Sequence, residues 1–461
     1  MLKDFIIDHI RQQLPYEPNE GQEALLGEWG SFLTSQASDR LFILRGYAGT
    51  GKTSMVSALV KALHLLNRPT VLLAPTGRAA KVLSAYSQFP AYTIHKFIYR
   101  QKRLGESSFS VAPNTHPDTL FIVDEASMIS AVSDNPLFGT GCLLDDLVHF
   151  VYSADHCSMI LIGDDAQLPP VGQSDSRALS ADYMQGYGLS VSSFTLTEVA
   201  RQAHHSGILF NATHIRQQLL QQQVFDMPHI VTDGFTDIRR LTGADALEAL
   251  ERSYREAGED ETIVLTRTNR RMNLYNQGIR SRILWKEELL NAGDRIMVTR
   301  NNYFFTEQYE GLEFLANGDM LCVQRVRKQR QMYGFTFADI TLRSLDYDWE
   351  IDAIAWLDTL NTDSPDDNYQ LQRTLFERIS EDYPEIRSRK ELVKTIMANP
   401  YFNALQIKHA YAVTCHKAQG GQWDNVFIDP GKVADEHLGE DFYRWYYTAI
   451  TRAKKQVVII G

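Results

Sequence analysis

The chain has 461 residues, 44% hydrophobic and 22% charged, a balance that fits a soluble globular protein of two to four compact units. It carries 57 acidic against 46 basic side chains, a net charge of −11, which at face value argues against a polyanionic partner. No 18-residue apolar run or uninterrupted apolar leader occurs, so a cytoplasmic location with no membrane partner is expected. Cys142, Cys157, Cys322 and Cys415 are scattered without a Cys-x-x-Cys pair, which excludes a recognisable zinc or disulfide framework.

The opening MLKDFIIDHIRQQL has apolar residues at helical spacing. LFIL at 41–44 reads as a strand and runs into GYAGTGKT, where Gly46, four residues, and then Gly51-Lys52-Thr53 make the phosphate-loop pattern ahead of a helix. Backbone amides of Gly49, Thr50, Gly51, Lys52 and Thr53 should cradle phosphates at the positive end of that helix. Lys52 should reach the β- and γ-phosphates, and the Thr53 hydroxyl should bind Mg2+. TVLLA at 70–74 and TLFIV at 119–123 are further strands, the latter ending in Asp124-Glu125. One carboxylate, Asp124, would hold the metal through water, while Glu125 polarises an attacking water. A hydrolase needs that second acid; a kinase does not. SMILIG at 158–163 is followed by DDAQLPPVGQS, where Gln167 stands before two prolines, suited to hydrogen-bond the γ-phosphate or the attacking water.

A second set of strands, TIVLT at 262–266, NVFID at 425–429 and QVVIIG at 456–461, has no phosphate loop of its own. Two similar lobes sharing one loop imply a nucleotide in the cleft between them. The rhythm is α/β, parallel sheets with helices on both faces. Residues 310–400 interrupt it, first with alternation and turn signals (ANGDMLCVQRV, YGFTFADITLRSL), then with an acidic helical pattern. Charge is segregated along the chain. Residues 76–105 hold six bases and no acid, as do residues 266–286, whereas 346–391 hold thirteen acids and five bases. Such tracts either line a groove for a polyanion or are solvated helix faces.

GYAGTGKT, APTGRAA at 74–80, TIHKF at 93–97, VDEASM and GDDAQLPPV stand in the order found in superfamily-one DNA helicases, and the chain most resembles the 5′-to-3′ branch of RecD-like, Pif-like and phage Dda-like enzymes. LTEVARQ at 196–202 is similar to the segment that puts an arginine on the γ-phosphate, here Arg201. VTCHKAQGG resembles the family's T-x-H-K-x-Q-G motif, and YTAITRAKK the motif of a second arginine finger, here Arg452. Two guanidinium groups would neutralise charge developing on the transferring phosphoryl. Gln22 matches the glutamine that reads the adenine edge, which makes ATP the nucleotide. The resemblance implies two RecA-like parallel-sheet lobes, at 1–195 and at 196–309 with 401–461. A small pin insertion is expected in the first lobe at 99–119, and an SH3-like β plus helical insertion in the second at 310–400. The signature segment of the Pif-like group is not evident, which points to a Dda- or RecD-like member.

By the same resemblance, Pro75, Thr76, Arg78, His95, Lys96 and Phe97 in the first lobe and Thr268, Asn269, Arg270, Thr414, His416 and Lys417 in the second grip single-stranded DNA. About five such phosphate contacts would give a salt slope near −0.7 for each. Phe97, Tyr99, Tyr303, Phe304 and Trp423 are stacking candidates, although such aromatics more often pack in cores. Leu104-Gly105-Glu106-Ser107 is the expected turn of the pin, with Phe109 or a neighbour at the first base pair. The activity implied is an ATP-dependent DNA helicase moving 5′ to 3′ on single strands and opening forked duplex, in repair, replication or recombination. The alternative is a translocase that displaces proteins without processive unwinding. A monomer is the family default, with a possible protein partner at the acidic insert.

Overall fold

The computed structural model describes all residues except 102–108, 134–137, 199–204, 307–308, 310–311, 313 and 347, and the backbone alone at 101 and 365. Strands β1 (Arg40–Gly46), β2 (Thr70–Ala74), β3 (Ala91–Thr93), β4 (Tyr99–Gln101), β5 (Phe109–Val111), β6 (Leu120–Val123), β7 (Ser158–Gly163) and β8 (Ser190–Leu196) come first in the chain. All but β4 and β5 form one parallel sheet in the order β3-β2-β6-β7-β1-β8. β6 and β7 are buried at every position, as expected of central parallel strands covered on both faces. Because the strands are parallel, the loops after β1, β6 and β7 leave the same edge of the sheet. That edge, at the carboxyl ends, is where α/β sheets bind ligands. It gathers residues 47–51, Asp124-Glu125 and residues 164–167.

One face of this sheet is covered by the helix Glu20–Thr34 and the helix Lys52–Leu65, whose Leu25, Trp29, Leu59 and Leu63 pack against Phe42, Leu44 and Ile160. The N-terminal helix Leu2–Gln12 adds Ile6 and Ile10 to the same core. β4 and β5 form a separate antiparallel pair, with Tyr99 opposite Val111 and Gln101 opposite Phe109. The expected pin turn at 104–107 lies outside the described residues.

The chain divides into two compact units, Met1–Arg240 with Ala418–Gln422 and Lys432–Val458, and Leu241–Lys417 with Trp423–Gly431 and Ile459–Gly461. It passes from the first to the second within β9 (Ile238–Leu241). In the second unit β10 (Thr262–Thr266) comes first. β11 (Arg295–Val298), β12 (Met320–Met332), β13 (Phe335–Ser344), β14 (Glu350–Trp356) and β15 (Leu405–His409) close a barrel. The barrel therefore takes in strands on both sides of residues 310–400, because closure is what leaves no edge unpaired. The acidic segment forms helices Pro365–Ser380 and Arg389–Met397, which bury Leu375, Ile379 and Ile396 against Phe337 and Trp356. β16 (Ala412–Thr414) and β17 (Trp423–Asp429) pair in parallel with β10 on either side. β18 (Ala453–Ile460) ends the chain. Two parallel-sheet lobes and a closed SH3-like barrel are the architecture expected from sequence.

Candidate active site

The phosphate loop is built by β1 delivering Gly46 and by the helix Lys52–Leu65 starting at Lys52. Gly51 takes φ 85°, and a Cβ there would stand 2.6 Å from Gln22 Nε2, so only glycine permits this approach. Gln22 is 1% exposed. Its Nε2 donates to Thr50 O at 3.2 Å and its Oε1 accepts from Asn19 N–H at 3.2 Å. The residue expected at adenine thus also braces the loop here. Thr50 Oγ1 donates to Tyr47 O at 2.8 Å. Lys52 Nζ donates to Gly46 O and, at 3.0 Å, to Tyr47 O, and lies 4.0 Å from Asp164 Oδ2. Thr53 is exposed in the first turn of the helix.

Asp124 accepts from Tyr86 Oη and, at 2.8 Å, from the Glu125 amide. Glu125 has φ 52°, in the left-handed region that side chains rarely occupy. Such strain gathers at functional sites. Burial pushes its carboxyl above the ordinary range, opposed by the nearby positive charge of Arg452; Asp124, Lys52 and Asp164 also act on it. A carboxylate made more basic in this way suits a general base. Arg452 is 3% exposed, with Nη1 3.9 Å from Glu125 Oε1 and Nε donating to Thr448 O at 3.1 Å. Gln167 is buried, and its Oε1 has no partner in the protein. A buried acceptor without a protein partner calls for an explanation, and here Gln167 Oε1 is suited to accept a hydrogen bond from a ligand donor.

The helix Glu440–Ile450 ties these pieces together, and sequence reading assigned it no role beyond Arg452 just past its end. Tyr447 Oη donates to Asp164 Oδ2 at 2.6 Å and accepts from the Ala48 N–H of the phosphate loop at 2.9 Å. Thr448 Oγ1 accepts from Leu168 N–H at 2.9 Å, and Arg444 donates to Asp165 O and Gln167 O. Asp164 and Tyr447 both lie inside quoted motifs, GDDAQLPPV and YTAITRAKK. A tyrosine five residues before an arginine carries no chemical signature by itself. Tyr86 had no signal at all.

Residues for ATP and Mg2+ fit on these observations. Lys52 is already turned into the loop, and the Thr53 hydroxyl and Asp124 carboxylate are hard oxygen donors at its rim. Among the described residues no three His, Cys, Asp or Glu side chains converge as a metal cage. A magnesium ion here would take its remaining ligands from phosphate and water, as it commonly does.

The expected DNA grips fall into two groups. In the first unit, Thr76 caps the helix Gly77–Ser87, its side chain accepting from Ala79 N–H, and Arg78 donates to Gln422 O at 3.4 Å. Pro75 precedes this cap. Gly420, at φ 73°, lies so close that a Cβ would be 2.9 Å from Ala79 Cβ and 3.2 Å from Thr76 Oγ1. The same short loop donates from Gln419 Nε2 to Leu168 O at 2.7 Å and accepts from Arg452 at Gly421 O. One segment, Ala418–Gln422, therefore touches the grip, the strand end carrying Gln167, and the arginine. In the second unit, Thr268 caps the helix Asn269–Gly278, and Arg270 is exposed. Thr414 ends β16 opposite Thr266, His416 is exposed, and Lys417 donates to Asn317 Oδ1 at 2.7 Å.

Other expectations change. Burial pushes the His95 imidazole down to about 4, so it is neutral at pH 7 and offers no cationic grip. Phe97 is half-buried against Phe121 and Phe150, while Lys96 is exposed. Tyr99 and Trp423 are buried at 1% and 2% exposure, which makes them core. Phe109 is 3% exposed, with its ring stacked 4.9 Å from Phe138, so it anchors the base of the β4–β5 pair and is no candidate for the fork contact. Arg201 lies outside the described residues.

Two family models match the chain, an AAA domain over residues 19–226 and a UvrD-like helicase C-terminal domain over 409–460. The ATP-dependent DNA helicase Dda of Enterobacteria phage T4 is 26% identical over 90% of this chain and 93% of its own length. The ATP-dependent RecD2 DNA helicase of Deinococcus radiodurans is 23% identical over 96% of this chain, which spans 50% of that relative. A Bacteroides Pif1 helicase solved with ADP-AlF3 and single-stranded DNA aligns over 96% of this chain and 92% of its own, with a TM-score of 0.50 and 16% identity, a likeness of fold.

Proposed function

From the premise that the chain belongs to the superfamily-one helicases, we propose that it is an ATP-dependent DNA helicase that moves 5′ to 3′ along single strands and opens forked duplex. The observation that carries this reading is the arrangement round the phosphate loop, with Lys52 4.0 Å from Asp164 and Arg452 3.9 Å from the strained, basic Glu125. Bound ATP with Mg2+ supplies the phosphoanhydride whose cleavage releases energy. Lys52 exchanges its two carbonyl partners for phosphate, Glu125 takes the proton of the attacking water, and Gln167 offers its unpaired oxygen to orient that water. Arg452 offsets the charge that develops, and Arg201 is proposed as the second arginine on the γ-phosphate. The Ala418–Gln422 loop supports coupling, because it joins Arg452 and the Gln167 strand end to the Thr76–Arg78 grip. A monomeric state and action in cytoplasmic DNA metabolism belong to the same proposal, whereas the expected lobe boundary near residue 195 gives way to the passage at Arg240–Leu241, and the expected insertion of 310–400 widens to a barrel that begins at Arg295 and closes at His409.

The test is ATP turnover with and without single-stranded DNA, together with displacement of streptavidin from biotinylated oligonucleotide ends. DNA-stimulated turnover with displacement from one end only is the expected result. Turnover indifferent to DNA would refute the reading, and displacement without fork opening would make the protein a translocase alone.

A further inference from the structure

A second cavity of the first unit, about 660 Å³, lies away from the phosphate loop. Its wall is mainly apolar, with Val71, Phe89, Pro90, the Tyr92 ring and Phe97 contributing. The rings are arranged as a lined slot, with His64 on Phe89 at 4.5 Å, Tyr92 on Phe97 at 5.7 Å and Phe97 on His116 at 5.4 Å. The wall carries five basic side chains (His64, Arg68, Lys96, Arg100 and His116) and no aspartate or glutamate, on a chain whose net charge is −11. His64, Lys96, Arg100 and His116 are exposed, so basic side chains stand at the mouth, while Val71, Phe89 and Phe97 are half-buried.

We propose that this cavity binds an acidic peptide of a partner protein, with one aromatic or large aliphatic side chain in the slot and flanking carboxylates on the basic rim. An apolar anchor in a preformed pocket within complementary charge is how small interfaces concentrate their binding energy. The size is that of an ordinary ligand pocket. A polynucleotide is the weaker match for two reasons. Although Lys96 and Phe97 of the expected first-lobe grip line it, the cavity opens at Thr70–Leu72, the start of β2, whereas the Thr76 grip follows the end of that strand, roughly 15 Å away at 3.3 Å per residue. Beyond the basic groups, the wall has only the side chains of Asn67, Thr70 and Tyr92 to read the polar edges of a base. This inference stands on the cavity and does not depend on the motor reading.

The test uses the full chain and fluorescence anisotropy of a labelled acidic heptapeptide with one central phenylalanine. Matched peptides carry central alanine, or lysines in place of the acids. Binding at least tenfold tighter than to either control is expected. The double variant His64→Glu, His116→Glu should lose that binding at least tenfold while keeping DNA-stimulated ATP turnover. Tyr92→Glu, at an exposed wall position, provides the same reading should the double variant not fold. Equal binding of the three peptides, or binding indifferent to these substitutions, would overturn the proposal. So would an equal loss of oligonucleotide binding, which would mark the slot as part of the nucleic-acid path.

Discussion

Changing Tyr447 to phenylalanine keeps a fully buried ring and deletes one hydroxyl. That hydroxyl donates to Asp164 at 2.6 Å and accepts from the Ala48 amide at 2.9 Å. Asp164 is 1% exposed and would keep only the Ala166 amide at 3.1 Å and Lys52 at 4.0 Å. Loss of a hydrogen bond to a buried charged acceptor costs about 1.5–3 kcal/mol. The Ala48 amide is half-buried and can turn to water at little further cost. Stability of the first unit should therefore fall by about 2 kcal/mol, read from its urea transition. The same hydroxyl ties the helix Glu440–Ile450, and Arg452 behind it, to the phosphate loop. A loosened arginine should lower kcat about tenfold, the equivalent of ~1.4 kcal/mol in the barrier, with a smaller change in KM for ATP. A stability change under about 0.5 kcal/mol together with an unchanged kcat would refute the reasoning, since surface-like substitutions do no more.

Lys52→Ala should reduce turnover by ~100-fold or more with the fold intact by circular dichroism, and Glu125→Gln should still bind a fluorescent ATP analogue while hydrolysis falls by ~100-fold or more. Gly420→Ala forces a side chain into a left-handed position against Ala79 and Thr76; single-stranded DNA should then stimulate turnover several-fold less, with basal turnover kept. His95 titrates at about 4 when folded against 6.5 in its ordinary state, so the folded chain binds fewer protons between those values. Its contribution is present above pH 6.5 and is lost as pH falls toward 4, about 3 kcal/mol in all. The stability difference between wild type and His95→Gln should accordingly be flat above pH 6.5 and shift toward the variant below it, in urea titrations at several pH values.

The motor was legible wherever chemistry depends on a short local pattern. A phosphate loop needs glycines, a lysine and a hydroxyl at set spacing, so residues 46–53 announced themselves, as did Asp124-Glu125 after a buried strand. The barrel was legible as alternation within residues 310–400, but its closing strands, Arg295–Val298 and Leu405–His409, are runs of four and five residues that do not announce their partners. Tyr447 on Asp164 joins residues 283 apart, and no periodicity encodes such a pairing. Aromatics misled for a related reason. Tyr99 and Trp423 look as fit to stack on bases as Phe97, and only their burial, at 1% and 2% exposure, shows that they are core.

Polarity of unwinding bears most directly on whether ATP bound at the Lys52 loop drives a 5′-to-3′ motor. With ATP and Mg2+, a fluorescent fork carrying a 5′ single-stranded tail should open while its 3′-tailed counterpart stays closed, and Lys52→Ala should open neither. Equal opening of the two substrates, or opening that persists in the Lys52 variant, would contradict the account.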